Sequence, residues 1–354
     1  MTVPVLALTV GDPAGIGPEI VVRSIADDEV RAAGRCLAVG DVGAIGRALE
    51  VCGLDWSARA VSDPQEARFA DGVIDVLDTA VLDGTLPEYG RVAKEAGQAA
   101  VAAIERATAA AMDRSVDAVV TAPINKEAIW AAGSEHLGHT EMLAALTGVP
   151  RSTTMFLVRD LKIFFTTRHT SLRKALDQLD VATVRQAIDD SLEALRVFGH
   201  AQPRLGVAAV NPHGGENGNF GDEEIRVLGP AVEAARGDGA EVFGPVPADS
   251  VFHQGLQGRF DGVLSQFHDQ GHIAAKTVDF DGTVSVTAGL PILRTSVDHG
   301  TAFDIAGTGR ASYRTMAAAA LAGARLSRHL DAIRATWGRD RPPEPRSGDA
   351  AFGR

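Results

Sequence analysis

Three histidines each close a short apolar run of the sequence and stand among small or polar residues. His169 ends the stretch FFTTRH, His213 ends VAAVNPH and His268 ends VLSQFH. An apolar run that ends in polar residues is typical of the carboxyl end of a parallel strand, where α/β proteins assemble their sites. A lone histidine is more often an ordinary surface or core residue. Three such strand ends together favour one divalent metal ion with a coordination position left open for substrate.

Several other polar residues could bind an anion or move a proton. His139 and Thr140 stand at a predicted helix start that suits a phosphate group, although the threonine could be a plain N-cap. Lys276 and Arg294 could hold the anionic end of a substrate, with a surface salt bridge as the alternative. Asp249 is either a helix N-cap or a catalytic carboxylate.

Two glycine-containing loops are candidates for ligand contacts. Residues 11–19, GDPAGIGPE, lack the G-x-G-x-x-G spacing of a dinucleotide fingerprint, so a structural turn and a ligand loop are equally consistent with them. Residues 299–309, HGTAFDIAGTG, could surround an adenosine, with Asp304 accepting from a ribose hydroxyl. An ordinary surface loop with a helix cap is the alternative for this second segment.

The composition limits the possible partners and compartments. The formal net charge of −12 argues against nucleic acid, whose phosphates require a basic surface. No apolar run reaches the ~18 residues of a membrane span, and the N-terminus lacks the basic flank of a signal peptide. The two cysteines are too few for a disulfide framework. We therefore expect a cytoplasmic protein that acts on a small molecule.

Strand-like and helical segments alternate along the 354 residues, which predicts a largely parallel sheet with helices on both faces. The predicted strands are 5–10, 35–40, 73–77, 118–120, 205–210 and 284–293. The predicted helices are 18–26, 94–112, 181–198 and 316–329. We expect a first α/β/α lobe of residues 1–150 plus about 295–337, a second lobe of residues 151–294, and a flexible tail of residues 338–354.

Taken together, the polar segments resemble the 4-hydroxythreonine-4-phosphate dehydrogenase family of vitamin B6 biosynthesis. Six motifs in order along nearly the whole chain carry this resemblance: GDP at 11–13, TAP at 121–123, GHTE at 138–141, NPH at 211–213, HDQG at 268–271 and RTSVDHGT at 294–301. The resemblance implies two α/β/α lobes of the isocitrate and isopropylmalate dehydrogenase type, with the active site in the interlobe cleft of a homodimer.

The resemblance also implies roles for particular residues. His169 and His213 of one subunit and His268 of the other would bind a divalent metal ion, which could be Zn, Mg, Mn or Co. His139, Thr140, Lys276, Ser285 and Arg294 would bind the phosphorylated substrate, while Asp249 and Lys276 would act at the reacting centre. The adenine end of NAD or NADP would contact four residues of the second glycine loop, namely His299, Gly300, Thr301 and Asp304.

The implied reaction is oxidation of the secondary alcohol of 4-phosphohydroxy-L-threonine followed by β-decarboxylation to 3-amino-2-oxopropyl phosphate and CO₂. Two residues depart from the family pattern. His272-Ile273 resembles instead relatives that oxidise 4-phospho-D-threonate or 4-phospho-D-erythronate, and Ser285, where the family carries Asn, would change whether an amino or a hydroxyl group is accepted at C2. Both substrate types therefore stay open. A metal-dependent hydrolase is the alternative from another class, because three imidazoles and a carboxylate could also activate water.

Overall fold

The computed structural model describes residues 3–338, and within them twelve strands form a single sheet. The strands are Val5–Thr9 (β1), Arg35–Gly40 (β2), Ser57–Val61 (β3), Val73–Asp78 (β4), Ala118–Thr121 (β5), Thr153–Val158 (β6), Leu161–Phe165 (β7), Leu205–Ala208 (β8), Val242–Val246 (β9), Gly262–Ser265 (β10), Val284–Ala288 (β11) and Arg294–Ser296 (β12). Their order across the sheet is β3-β4-β2-β1-β5-β12-β11-β6-β7-β10-β8-β9. The predicted α/β class is confirmed.

Helices cover both faces of this sheet. They are Gly17–Ile25 (α1), Asp28–Ala33 (α2), Val42–Val51 (α3), Lys94–Met112 (α4), Lys126–Ala131 (α5), His139–Thr147 (α6), Leu172–Asp177 (α7), Val181–Val197 (α8), Gly229–Gly237 (α9), Ala248–Leu256 (α10), His268–Val278 (α11), Arg314–Leu326 (α12) and Leu330–Trp337 (α13). Within residues 3–338 no helix combines the length and the apolar composition needed to cross a lipid bilayer.

Alternation of side chains along β1 shows how the two faces are filled. Leu6 and Leu8 belong to a buried cluster with residues of α1, α3 and α12, whereas Ala7 belongs to a second cluster with residues of α4 and α6. Successive strand residues point to opposite faces, so both faces of this central strand are buried. A third cluster joins β7 and β10 to α10 and α11. We call the face covered by α4, α6, α10 and α11 the site face.

The two parallel parts of the sheet run in opposite directions. Strands β1 to β5 and β12 are mutually parallel, and so are β7 to β10, but antiparallel pairings of β12 with β11, β11 with β6 and β6 with β7 lie between the two groups. The two-residue turn Arg159-Asp160, with Arg159 at a φ of 52°, reverses the chain between β6 and β7. One continuous sheet therefore passes through both predicted lobes, and the lobe boundaries themselves stay a prediction.

The prediction of a single strand over residues 284–293 is wrong. Strand β11 ends at Ala288, Gly289 adopts a φ of +94°, and the chain turns back so that Arg294 begins β12. A glycine at positive φ followed by Pro291 is a turn sequence. The turn lets β12 pair antiparallel with β11, and β12 also pairs in parallel with β5. The other predicted elements agree within three residues, the largest difference being the end of the predicted helix 316–329, since α12 ends at Leu326. The predicted tail, apart from Gly338, lies outside the described residues.

Close contact between α4 and α5 depends on Gly97. A Cβ at this position would fall on the carbonyl oxygen of Ala128. We expect Gly97→Ala to lower the free energy of unfolding by about 3 kcal/mol, because the clash outweighs the ~1 kcal/mol that alanine contributes in a helix. In the matched control Gly46→Ala, within α3, the added Cβ meets no atom within 4 Å and should raise stability. Urea denaturation of both variants measures the difference, and equal effects would contradict the close packing.

Candidate active site

The three sequence-predicted histidines follow neighbouring parallel strands. Strand β10 pairs in parallel with β7 on one side and with β8 on the other. His169 comes shortly after β7, His268 directly opens α11 after β10, and His213 lies in the turn after β8. The predicted placement at the carboxyl ends of parallel strands is therefore confirmed for all three.

His169 and His268 of the same chain come close together. Their ring centroids are 5.7 Å apart, and His268 stacks on His272 with centroids 3.5 Å apart and ring planes 13° from parallel. His272 in turn packs on the rings of Phe156 and Phe165, with centroid distances of 4.3 and 4.9 Å. The aromatic packing fixes His272, and His272 fixes one face of His268. Sequence reasoning missed this positioning role, although the four-residue spacing along one helix places the two rings on the same side.

The electrostatic setting suits metal ligation by these two imidazoles. The Nδ1 atom of His268 is 2.7 Å from the Oδ1 atom of Asp269, a contact of the kind that orients a metal-ligating histidine through its other ring nitrogen. Burial, with the nearby charges of Arg168, His268 and Lys126, lowers the pKa of His169. A neutral imidazole is the form that binds a metal ion.

His213 does not complete a three-imidazole set within one chain. Among residues 3–338, no group of three or more His, Cys, Asp and Glu side chains is arranged to hold a metal ion. His213 is exposed and stands in a left-handed turn in which every residue from 213 to 218 has positive φ. The structure thus brings two of the predicted ligands together, and the third ligand and the donation of His268 across a dimer interface stay predictions.

Arg294 is buried and held by hydroxyl groups. Its side chain donates from Nη1 to Thr287 at 3.0 Å and from Nη2 to Thr121 at 2.7 Å. Only 5 % of the residue is exposed, and burial, with the nearby Arg168 charge, lowers the pKa of its guanidinium to about 10. A surface salt bridge, the alternative for this arginine, is therefore wrong. Arg168, which sequence reasoning did not select, lies nearby and donates to the hydroxyl of Thr154.

The start of α6 reaches the same region of the site face. The Nε2 atom of His139 is buried without a hydrogen-bond partner among the described residues. Burial, aided by the Arg294 charge, holds the pKa of His139 well below its usual value, so the ring is neutral. Thr140 follows it in the first turn, and its side chain makes no cap hydrogen bond. An unpartnered neutral imidazole beside a buried guanidinium is an incomplete polar cluster that an anionic ligand would complete.

Lys276 and Ser285 belong to elements that border this cluster. Lys276 is in the last turn of α11, where its Nζ atom forms an ion pair with Asp298 at 3.1 Å and lies 4.7 Å from the centre of the Phe280 ring. Ser285 precedes Thr287 by two residues in β11, so both side chains share the site face. Their predicted contacts with substrate stay predictions.

Asp249 lies in the first turn of α10, one residue inside the helix. The N-cap position belongs to Pro247 and no side chain caps this helix, so the N-cap alternative for Asp249 is wrong. Its exposed carboxylate lines a cavity of about 600 Å³ between α10 and α11, together with Asp269, Gln270 and Ile273. Asp249 thus lines the same cavity as Asp269, the carboxylate that contacts His268, and its catalytic role stays a prediction.

The two glycine loops pack against each other. The amide of Ile16 donates to the carbonyl of Thr301 at 3.0 Å. The fully buried carboxylate of Glu19 accepts from the amides of Gly307 and Gly309, at 2.6 and 2.9 Å. Residues 11–19 therefore have a structural part in holding the second loop. His299, Gly300, Thr301 and Asp304 stay partly or fully exposed on it, and their cofactor role is not tested by these contacts.

Asp12, at the carboxyl end of β1, is a buried carboxyl group that sequence reasoning did not select. It is fully buried, its Oδ1 atom accepts from the amide of Ala14 at 2.8 Å, and its Oδ2 atom has no partner among the described residues. Burial raises the pKa of Asp12 to about 6 from 3.8. The folded protein therefore binds the carboxyl proton of Asp12 more tightly than the unfolded chain does.

This proton makes stability depend on pH. Asp12 should contribute fully below about pH 4, and the contribution should be lost as the pH rises through about 6, where the buried carboxyl ionises. The shift corresponds to about 3 kcal/mol. In Asp12→Asn the difference from the parent protein in unfolding free energy should change by this amount from a pH below 3.8 to a pH above 6, measured by urea denaturation. A constant difference would show that Asp12 does not titrate there.

Neutral imidazoles beside a buried and a half-buried guanidinium group, on one face of an α/β sheet, form a polar site suited to a small anionic molecule. A family model described as "Pyridoxal phosphate biosynthetic protein PdxA" matches residues 32–322. The chain belongs to this family.

Relatives and solved structures agree with this assignment. The chain is 55% identical over 339 residues to a "Putative D-threonate 4-phosphate dehydrogenase" of Cutibacterium acnes, covering 94% of this chain and 96% of the relative. The crystal structure of a 4-hydroxythreonine-4-phosphate dehydrogenase from Klebsiella pneumoniae is 42% identical with a TM-score of 0.84, covering 92% and 99% of the two chains. That of a terephthalate 1,2-cis-dihydrodiol dehydrogenase from Burkholderia xenovorans is 33% identical with a TM-score of 0.59, covering 88% and 94%. The protein is a dehydrogenase, and the hydrolase alternative is set aside.

Proposed function

We propose that this protein oxidises the secondary alcohol of a 4-phosphorylated four-carbon hydroxy acid, with NAD or NADP as hydride acceptor and a divalent metal ion, and that β-decarboxylation follows. The observation that carries the proposal is the pair His169 and His268 near the half-buried guanidinium group of Arg168 and the buried one of Arg294. Such an arrangement offers ligands for a cation next to a binding site for an anion.

Two of the three predicted metal ligands, His169 and His268, lie close together in one chain. Two imidazoles 5.7 Å apart, one oriented by a carboxylate and the other with a lowered pKa, are suitable ligands. His169 and His268 would hold the ion with His213, and we propose that a second subunit completes the set. When bound there, a divalent ion lowers the pKa of an alcohol that it contacts.

The chain's own residues would bind the substrate and move its proton. Arg294 and His139, with Thr140, would hold the phosphate, since a buried guanidinium and an unpartnered imidazole nitrogen provide charge-assisted hydrogen bonds. Asp249 and Lys276 are the candidates to accept the alcohol proton, because a carboxylate or an amine held close to the reacting oxygen can act as general base. The exposed loop of residues 299–304 would contact the adenine end of the cofactor.

Two substrates of this class are candidates. The names of the solved structures at 41% and 42% identity contain 4-hydroxythreonine 4-phosphate, which carries an amino group at C2. The names of curated relatives at 45% to 55% identity contain D-threonate 4-phosphate, which carries a hydroxyl there. The higher identity to the second group favours the hydroxyl-bearing acid for this chain.

Production of reduced cofactor tests this function. The purified protein should reduce NAD or NADP with at least one of 4-phosphohydroxy-L-threonine, 4-phospho-D-threonate and 4-phospho-D-erythronate, and a chelator should abolish the reaction. Added Zn, Mg, Mn or Co should restore it to different extents. Absence of reduced cofactor with all three acids and all four metal ions would refute the proposal.

A further inference from the structure

Arg294, which is buried, and Arg168, which is half-buried, lie near each other on the site face, and among the described residues their side chains donate only to hydroxyl groups. Arg168 donates to Thr154 in β6, and Arg294 donates to Thr287 in β11. Thr154 and Thr287 are directly opposite each other in the antiparallel pair of β6 and β11, so their hydroxyls project on the same face. The strand register therefore brings the two guanidinium groups together.

The charges of these arginines are not balanced within the chain. Among residues 3–338, neither Arg168 nor Arg294 has a carboxylate within ion-pair distance. The carboxylate whose charge acts on both is that of Glu141, an exposed residue. The unpartnered Nε2 atom of His139 adjoins Arg294. A buried cation without a partner is costly, so this cluster is organised for an anionic ligand.

Arg168 is placed nearer to the reacting end of the site than Arg294. It directly precedes His169, whose ring centroid lies 5.7 Å from that of His268. Arg168 is therefore near both the predicted metal pair and the predicted phosphate contact, Arg294. In a substrate of only four carbons, the substituent at C2 cannot be far from a guanidinium in this position.

We propose that Arg168 is a specificity-determining residue that selects acids with a hydroxyl at C2 over acids with an ammonium group there. A hydroxyl oxygen can accept a hydrogen bond from the guanidinium, whereas an ammonium group would bring another positive charge into a cluster that already holds two. The inference rests on the proposed function and names the substrate class of the same site. Arg294, by contrast, serves the phosphate that both candidate substrates share.

The test compares kcat/KM for 4-phospho-D-threonate and for 4-phosphohydroxy-L-threonine in three proteins. The parent protein should prefer the hydroxyl-bearing acid. Arg168→Gln keeps a donor for Thr154 but removes the charge, and it should lower the preference by roughly 10- to 100-fold. The matched variant Arg294→Gln should lower kcat/KM for both acids by similar factors and leave the preference within about threefold. Arg168→Lys, which keeps the charge, should retain the preference.

Two results would overturn the inference: a parent protein that prefers 4-phosphohydroxy-L-threonine, or an Arg168→Gln variant with an unchanged preference, whether or not kcat/KM falls for both acids. Calorimetric binding of the two acids to the metal-loaded protein without cofactor measures the same preference. The inference is therefore tested even if the parent protein turns over neither acid, a result that would refute the proposed function only if 4-phospho-D-erythronate also gave no reduced cofactor. Thermal unfolding of each variant identifies a merely structural effect, which would lower Tm without changing the preference.

Discussion

The His268→Ala variant is expected to lose divalent metal binding and, with it, turnover. His268 is the predicted ligand with the most complete support, since Asp269 contacts its Nδ1 atom and His272 covers one ring face. Loss of supporting contacts alone costs about 10- to 100-fold in metal affinity, so removal of the ligand itself should cost more than ~100-fold. Calorimetric titration with Zn²⁺ measures the binding, and production of reduced cofactor measures the turnover.

A histidine at the amino end of β8, away from the carboxyl ends that carry the site, provides the control. His200 precedes β8, is partly buried and lies 3.4 Å from a carboxylate oxygen of Asp261. His200→Ala removes an imidazole of similar exposure without touching the site face, so metal affinity and turnover should stay within about twofold of the parent protein. If His268→Ala bound Zn²⁺ with undiminished affinity and stoichiometry, His268 would not be a metal ligand.

The sequence predicts most elements of the fold but not the direction in which the strands run. Lys94–Met112 was predicted residue for residue, because a long alanine-rich amphipathic segment has few alternatives. The reversal between the two halves of the sheet depends on short turns at Arg159-Asp160 and at Gly289. These turns are visible in the sequence, but the partners they bring together are decided by packing of distant segments.

The candidate site shows the same division between local and distant information. His169, His213 and His268 are recognisable because each directly follows an apolar strand, which is a local pattern. Arg168 is not recognisable from the sequence in this way, because an arginine beside a histidine is typical of a solvated loop. The position of Arg168 near Arg294 follows from the register of β6 against β11, which no local pattern contains.

Asp12 and Glu224 were missed for a related reason. Acidic residues are rarely fully buried, so an acidic residue in a glycine loop or beside a second glutamate is expected to face solvent. Both carboxyl groups are instead buried against backbone amides of neighbouring turns. The role of Glu224 is visible only in the folded structure, because the amides that it binds, those of Val210 and Asn211, lie in the turn after β8, more than ten residues earlier in the chain.

The Glu224→Ala variant is expected to destabilise the turn that carries His213. The turn contains three non-glycine residues at positive φ, His213, Glu216 and Asn217, and each costs roughly 1–2 kcal/mol in this conformation. Glu224 offsets this cost, since its carboxylate accepts from the amides of Val210 and Asn211 at 2.7 and 2.8 Å. Its other oxygen accepts from the side chain of Asn211 at 2.9 Å.

Alanine at position 224 leaves these donors without an acceptor, so we expect the free energy of unfolding to fall by about 4 kcal/mol. If His213 is the third metal ligand, Zn²⁺ affinity should also fall, by roughly 10- to 100-fold. Urea denaturation and calorimetry measure the two effects, and Glu224→Gln, which keeps an acceptor oxygen, should recover part of both. The control is Glu223→Ala, which removes a single contact to the Asn211 side chain and should cost less than about 1 kcal/mol. Equal losses in the alanine variants at 223 and 224 would show that the glycines, rather than the buried carboxylate, hold His213 in place.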